Sequence, residues 1–430
     1  MAPYFHLAVG ATLFEHLFQA YLDIRQRGVV ATMPVPTEKE RAVEIIQAKA
    51  RSKIQKGLSL LRGAVALMET MFVLYASAIA SMWCWSKTVV AAGGFQVNEY
   101  SVTVVFASSA LVYENIKGIL WSLWEAYTMN AHAPGSKQTI RVGPVLRDAL
   151  LSTGVTLVLM QPILYSIVYI VHTTGDYMPL YLWAFICLLQ LSLMSIYPTL
   201  IAPLFERYIA FPDCDLRKRI DAMATSLGLH AQDIYIMDAS KRNGHANAHV
   251  YGIRKRKRII IYSTLLQQCS EEQVLAILAH EFGHWKHGHV LKLFTLQQVI
   301  MLIQFIVFTC VYKNRRFTTD FGFDQPMPSI VSITLFLTIM SPFDKLVGWA
   351  FNTLSRRFEN EADATAVLMG YAMHLRDAIK QLDKDSQEDP VVDHIYSQYH
   401  HSHPLVSERL RALSMNATYD LHHLKNKIKE

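Results

Sequence analysis

His280-Glu-Phe-Gly-His284 is the stretch of this sequence best suited to chemistry. On a helix, two histidines four residues apart share one face, so both imidazoles can reach one zinc ion. Glu281, next to the first of them, is placed to take a proton from a metal-activated water and pass it to a leaving amine, as a metallopeptidase requires. At this chain's own His and Glu frequencies the bare pattern arises by chance in about three of a hundred such sequences. The run before it, Gln273 to Ala279, is helix-compatible and free of proline, which favours the motif. The plain alternative is a pair of helix histidines that pack elsewhere.

A catalytic zinc takes a third protein ligand and keeps one position open. No histidine follows at the spacing of an HExxHxxGxxH pattern, and His287 and His289 read as polar residues at the helix end. A better candidate lies in Arg357-Phe-Glu-Asn-Glu-Ala-Asp363. If that segment is helical, Glu359 and Asp363 share a face. Glu359 can then bind the metal while Asp363 hydrogen-bonds a ligand histidine and fixes its tautomer. An acidic pair on a helix is by itself usually a solvated face.

These residues need elements to hold them. Glu271 to His289 reads as a helix with Ser270 as its N-cap and acids in its first turn. Asp233 to Asp238 and Arg258 to Tyr262 read as short strands, and His245 to Gly252 could be a strand between them.

The rest of the chain looks built for a membrane. Of 430 residues, 52% are apolar and 18% charged, against about 25% charged in ordinary soluble domains. Seven stretches approach the roughly 20 apolar residues that a spanning helix needs. They are Tyr4 to Leu22, Ala64 to Trp85, Val102 to Trp124, Ala149 to Val171, Leu180 to Ala202, Leu293 to Tyr312 and Val331 to Ala350. Glu15, Glu69, Glu114 and Lys117 lie inside them. Such charges are costly against lipid and fit a wet interior, while Glu114 and Lys117 also have the spacing of a helix ion pair. The organisation expected is spans one to five in 1–202, a polar segment 203–292, spans six and seven in 293–350, and a polar C-terminal segment 351–430.

Basic residues orient the spans. The first loop, Asp23 to Gly63, holds nine Lys and Arg, and the loop Pro203 to Lys292 is basic again around Arg254 to Arg258. The second and fourth loops carry almost none, so the N-terminus is expected outside or luminal, and the zinc-motif segments and C-terminus in the cytosol. The sequon at Asn416 then faces the cytosol, unmodified. The five cysteines include no CxxC pair and are expected to be buried, reduced thiols. No cleavable signal peptide is evident at the N-terminus, and nothing in the sequence points to a nucleic-acid partner.

Three motifs together carry a resemblance. They are His280-Glu-Phe-Gly-His-Trp-Lys-His-Gly-His289, Ser355-Arg-Arg-Phe-Glu-Asn-Glu-Ala-Asp-Ala364 and Ser402-His-Pro-Leu-Val-Ser-Glu-Arg409. With Tyr21 to Gln26, Lys137 to Thr139 and Tyr197 to Phe205, the sequence resembles the CAAX prenyl protease 1 family over nearly its whole length. These are integral-membrane zinc metalloproteases of the gluzincin type. Met129 to Gly135 departs from the family's usual acidic pair.

The resemblance implies a mainly α fold. Seven transmembrane helices would enclose a large chamber, and a cytosolic gluzincin-type zinc metalloprotease domain would contain a small β-sheet. It also implies zinc on His280, His284 and Glu359, Glu281 as general base, and Asp363 and Arg409 supporting the ligands. His403 would donate to the tetrahedral oxyanion, and Asn247 and Ala248 would form an edge strand that binds substrate as an added strand. The implied partners are prenylated CAAX protein C-termini and membrane lipid, and the implied residence is the endoplasmic reticulum membrane. Two rivals stand beside this reading: a quality-control metalloprotease for damaged membrane proteins, and a membrane scaffold or channel-clearing factor with incidental protease activity.

Overall fold

The computed structural model describes residues 2–132, 142–196, 207–228, 231–237, 247–251, 257–323, 326–383, 389 and 391–414. Lys137 to Thr139, Tyr197 to Phe205, the end of the fifth expected span, Arg254 to Arg256 and the sequon lie outside these residues, as do parts of Met129 to Gly135 and of His245 to Gly252.

The chain is mainly helical. In order, α1 is Pro3–Thr32, α2 Lys39–Tyr75, α3 Ala78–Ala92, α4 Glu99–His132, α5 Val142–Thr173 and α6 Met178–Ile196. Then come β1 (Tyr208–Ala210), α7 (Asp215–Ser226), β2 (Ala231–Met237), β3 (Ala248–Tyr251), β4 (Lys257–Tyr262), α8 (Ser263–Gln268) and α9 (Glu271–Lys286). After these follow α10 (His289–Tyr312), α11 (Arg315–Asp320), α12 (Ser329–Leu368), α13 (Ala372–Asp383), α14 (His394–His400) and a last helix over 406–414.

Among the described residues five segments are long and apolar enough to cross a membrane: Ala42–Tyr75, Val145–Thr173, Gly175–Ile196, His289–Tyr312 and Ser329–Leu368. Helices α1 and α4 are also long, 30 and 34 residues, but polar residues within them, such as Glu15, His16, Glu114 and Lys117, dilute their apolar character. One expected span is corrected. Ala64 to Trp85 is not one helix, because Ser77 turns into the left-handed region (φ 50°) and separates α2 from α3.

The chain divides into two compact units. The first comprises Met1–Ala184, Ile300–Gly348 and Asp389–Tyr396. Its core gathers Leu74, Trp83, Phe106, Phe308, Phe317 and Val331. The charges inside its helices are paired: Lys117 meets Glu69 at 3.0 Å and Glu114 at 2.7 Å, and Lys345 meets Glu15 at 3.0 Å. Its segment Asp389–Tyr396 is tied down by Arg25 to Asp393 (2.8 Å), by the Asp393 N–H donating to Gln26 (2.7 Å) and by Lys56 donating to the Tyr396 hydroxyl (2.6 Å).

The second unit comprises Phe185–Val299, Trp349–Glu388 and Ser397–Glu430. It holds a four-stranded sheet of order β1-β2-β4-β3, with β2 and β4 parallel and the outer pairings antiparallel. Strand period puts Ile259 and Ile261 on one face, in a core with Ile234, Ala248, Leu275 and Phe282, while Ile260 joins Met237 on the other. Helix α9 thus packs on the sheet. It starts at a capping box formed by Ser270 and Gln273. It ends at Lys286 rather than running to His289, because Gly288 adopts φ 66° and His289 opens α10.

The thiols are free, but their expected burial holds only for Cys269; Cys187 is half-buried, and Cys84, Cys214 and Cys310 are exposed.

Candidate metal centre

Helix α9 sets His280 and His284 one turn apart, with their ring centroids 4.8 Å from each other. Helix α12 brings Glu359 and Asp363 across from them, also one turn apart. The approach of the two helices depends on Gly283. A Cβ there would fall 2.9 Å from Ala362 Cα and 3.1 Å from Ala362 O, so only a bare backbone lets α12 come this close.

The result is a compact donor set. His280 Nε2 and His284 Nε2 are 3.2 Å apart, and Glu359 reaches them with Oε2 at 3.4 Å and Oε1 at 3.3 Å respectively. All three ligand atoms lie within 4.8 Å of one another. A tetrahedral zinc with bonds of about 2.0–2.1 Å spaces its donors about 3.3–3.4 Å apart, so this triangle fits that ion. A second observation agrees. Glu359 is 2% exposed, yet its Oε2, 3.4 Å from His280 Nε2, makes no hydrogen bond among the described residues, an arrangement that costs free energy unless a cation satisfies it. Two imidazoles and one carboxylate are also a zinc donor set by chemistry.

The surrounding residues hold the ligands. Asp363 Oδ1 accepts from His280 Nδ1 at 2.7 Å, which leaves Nε2 facing Glu359. Arg409 grips both oxygens of Asp363, through Nε at 3.0 Å and Nη2 at 2.6 Å. Burial works against the Arg409 charge, but the hydrogen bond with Asp363, helped by Glu359 and Glu281, outweighs it and raises its pKa. Burial likewise opposes an imidazolium at His280, and the hydrogen bond to Asp363, with the Glu359 carboxylate close by, overcomes it, raising the pKa to about 9. The two carboxylates therefore make this a strongly cation-attracting site. His403 Nδ1 lies 3.0 Å from Glu359 Oε1 on an otherwise exposed side chain, and Glu359 raises its pKa.

The remaining expected residues sit nearby in the unit. Glu281 is half-buried on α9 directly after His280. Asn247 leads into β3, the terminal strand of the sheet; its Oδ1 accepts from the Ala248 N–H (2.8 Å) and its carbonyl from the Tyr262 N–H (3.0 Å). Ala248, the first residue of β3, is buried against the core shared with α9.

Comparison with known proteins agrees with this arrangement. A family described as Peptidase family M48 matches residues 211–417, and one described as CAAX prenyl protease N-terminal, five membrane helices, matches residues 30–207. The CAAX prenyl protease 1 homolog of Arabidopsis thaliana is 34% identical over 419 residues, 96% of this chain and 97% of that protein. The chain belongs to the CAAX prenyl protease 1 family. The Homo sapiens member is 30% identical, covering 93% of this chain and 92% of that one. The crystal structure of S. mikatae Ste24p shares the fold, with a TM-score of 0.85 at 24% identity over 96% of this chain and 99% of that one. As a member of the family, the chain is a metalloprotease and an integral membrane protein.

Within this family member, three contributors escaped the sequence reading. Gly283 occupies an unspecified position of the HExxH motif. Arg356, three residues before Glu359, donates to the His403 carbonyl (3.2 Å) and the Ser397 hydroxyl (3.0 Å) and pairs with Glu408, so it fixes the main chain that carries His403. His289 was read as a polar helix-end residue, yet it is 1% exposed and touches His284. A short HxH spacing offered no sign of that, because the contact depends on the turn at Gly288.

Proposed function

We propose that this protein is a membrane-embedded zinc endopeptidase that removes the C-terminal tripeptide from isoprenylated CAAX proteins. One observation carries the reading: two helix imidazoles and a buried carboxylate with an unpartnered oxygen converge at zinc-ligand spacing in a CAAX prenyl protease 1 relative. His280, His284 and Glu359 would hold the ion, which when bound supplies Lewis-acid activation of water and of the scissile carbonyl.

The chain's own residues do the rest. Glu281 takes a proton from the attacking water and delivers it to the departing amine as the carbon–nitrogen bond after the prenylated cysteine breaks. His403 donates a hydrogen bond to the oxygen that becomes negative on the tetrahedral carbon. Asp363, locked by Arg409, keeps His280 in the tautomer that leaves Nε2 for the metal. Asn247 and Ala248 begin the terminal strand of the described sheet, whose outer edge takes the substrate backbone as an added strand. Seven spans enclosing a wet chamber would accommodate the paired charges Glu69, Lys117 and Glu15. The family and the basic first loop support a place in the endoplasmic reticulum membrane with the zinc segments towards the cytosol.

The test compares a farnesylated CAAX peptide with its unprenylated counterpart on the purified full-length protein. Release of the tripeptide from the farnesylated peptide alone is the expected result. Equal cleavage of both would transfer the assignment to membrane quality control.

A further inference from the structure

We propose that His289 is a positioning residue for His284, the middle of a Glu361–His289–His284 chain that orients the second histidine as Asp363 orients the first. The inference rests on the metal reading above and adds to it a residue to which no role is assigned there. His289 Nδ1 lies 3.0 Å from His284 Nδ1, and its Nε2 lies 3.0 Å from Glu361 Oε2. The ring lies flat on Phe358, with centroids 4.1 Å apart and planes within 4°, and also stacks with His287 at 5.5 Å. A buried polar ring held this firmly has one orientation to offer.

Proton accounting gives each nitrogen a single role. His284 turns Nε2 towards Glu359 and His280, so as a ligand it must keep that lone pair open and carry its proton on Nδ1. That N–H points at His289 Nδ1, which must therefore accept. The proton of His289 is then on Nε2, from which it donates to the Glu361 carboxylate. The chain ends on an anion, as the His280–Asp363 pair does. The two ligands differ in how the anion reaches them. His280 is backed directly by a buried carboxylate, whereas His284 is backed by a neutral imidazole whose carboxylate is half in solvent (Glu361 side chain 49% exposed). His284 is thus the more adjustable ligand.

The experiment measures zinc affinity by chelator competition on the purified full-length protein. His289→Phe keeps the stacked ring and removes the acceptor; it is expected to weaken zinc binding on the order of 10–100-fold. Glu361→Gln still offers an oxygen to His289 Nε2–H and is expected to bind as wild type. Glu361→Lys offers only donors, drives the His289 proton onto Nδ1 against that of His284, and is expected to weaken zinc like His289→Phe. A merely space-filling role for His289 predicts no difference between the two Glu361 variants, since that side chain has room. Wild-type affinity in both His289→Phe and Glu361→Lys overturns the proposal. Should His289→Phe fail to fold, the Glu361 pair decides alone. Should Glu359→Ala retain zinc at wild-type affinity, it is the metal reading itself that fails.

Discussion

Gly283 and Ala362 meet backbone to backbone, and the metal centre depends on that contact. Alanine at 283 should stabilise an isolated helix by up to about 1 kcal/mol. Here its Cβ would strike Ala362 Cα at 2.9 Å and Ala362 O at 3.1 Å, and overpacking against backbone costs about 1–3 kcal/mol. The clash wins. Gly283→Ala is expected to lower Tm and to lose zinc together, because the helix that moves carries Glu359 and Asp363. A raised Tm with full metal content would show that the close approach is dispensable.

Glu281→Gln preserves shape and removes the base. Turnover should fall by about 10²–10⁴-fold while zinc content stays at one per chain by elemental analysis. Tripeptide release at the normal rate would remove Glu281 from the mechanism.

Among the described residues, Arg409 is the cation that binds Asp363 besides the histidine Asp363 supports. Arg409→Ala leaves a buried carboxylate short of its partner, a change that costs on the order of 3 kcal/mol, read as a lower midpoint in thermal or denaturant unfolding. Asp363→Asn should fold better than that variant yet bind zinc about 10–100-fold more weakly. Unaltered zinc affinity in Asp363→Asn would detach Asp363 from the ligand.

Arg356 offers a cleaner separation of chemistry from metal binding. Arg356→Ala releases the Ser397 hydroxyl and the His403 carbonyl without touching a metal-donor atom. At least a tenfold fall in turnover with zinc retained is the expected pattern; parallel loss of both would mean the residue mainly supports α12.

Acid should reveal the Arg25–Asp393 tie. Arg25 holds the Asp393 carboxyl below its ordinary value. Its stabilising effect is therefore complete above the unfolded value near 3.9 and fades as pH falls through the lower, folded value. Asp393→Asn should melt below wild type at neutral pH, and the gap should close on acidification below about pH 4. A gap that widens towards acid contradicts the pairing.

The candidate site was legible where chemistry and period coincide. His280 and His284, and again Glu359 and Asp363, are i and i+4 pairs, so a helical reading alone puts each pair on one face. That the two faces meet is implied by the resemblance and not by helical period, since the meeting rests on the close approach at one glycine, Gly283. The strands around Ile234 and Ile260 announced themselves by β-branched residues, and the sheet order did not, because pairing of β2 with β4 skips a neighbour. The second span was misjudged because Ser77 takes a backbone conformation that ordinarily calls for glycine or asparagine. His289 was overlooked for a related reason: a left-handed turn at Gly288 folds it back on the helix it appeared to end.

If β3, the terminal strand of the sheet among the described residues, takes substrate along its outer margin as proposed, that has a consequence for choice of substrate. A strand margin reads amides and carbonyls, and every peptide presents those alike. An enzyme that grips its substrate this way is nearly illiterate in side chains at the cut. Whatever distinguishes one client from another must then be an address written elsewhere on the molecule, in a tail's length, its terminus or its grease.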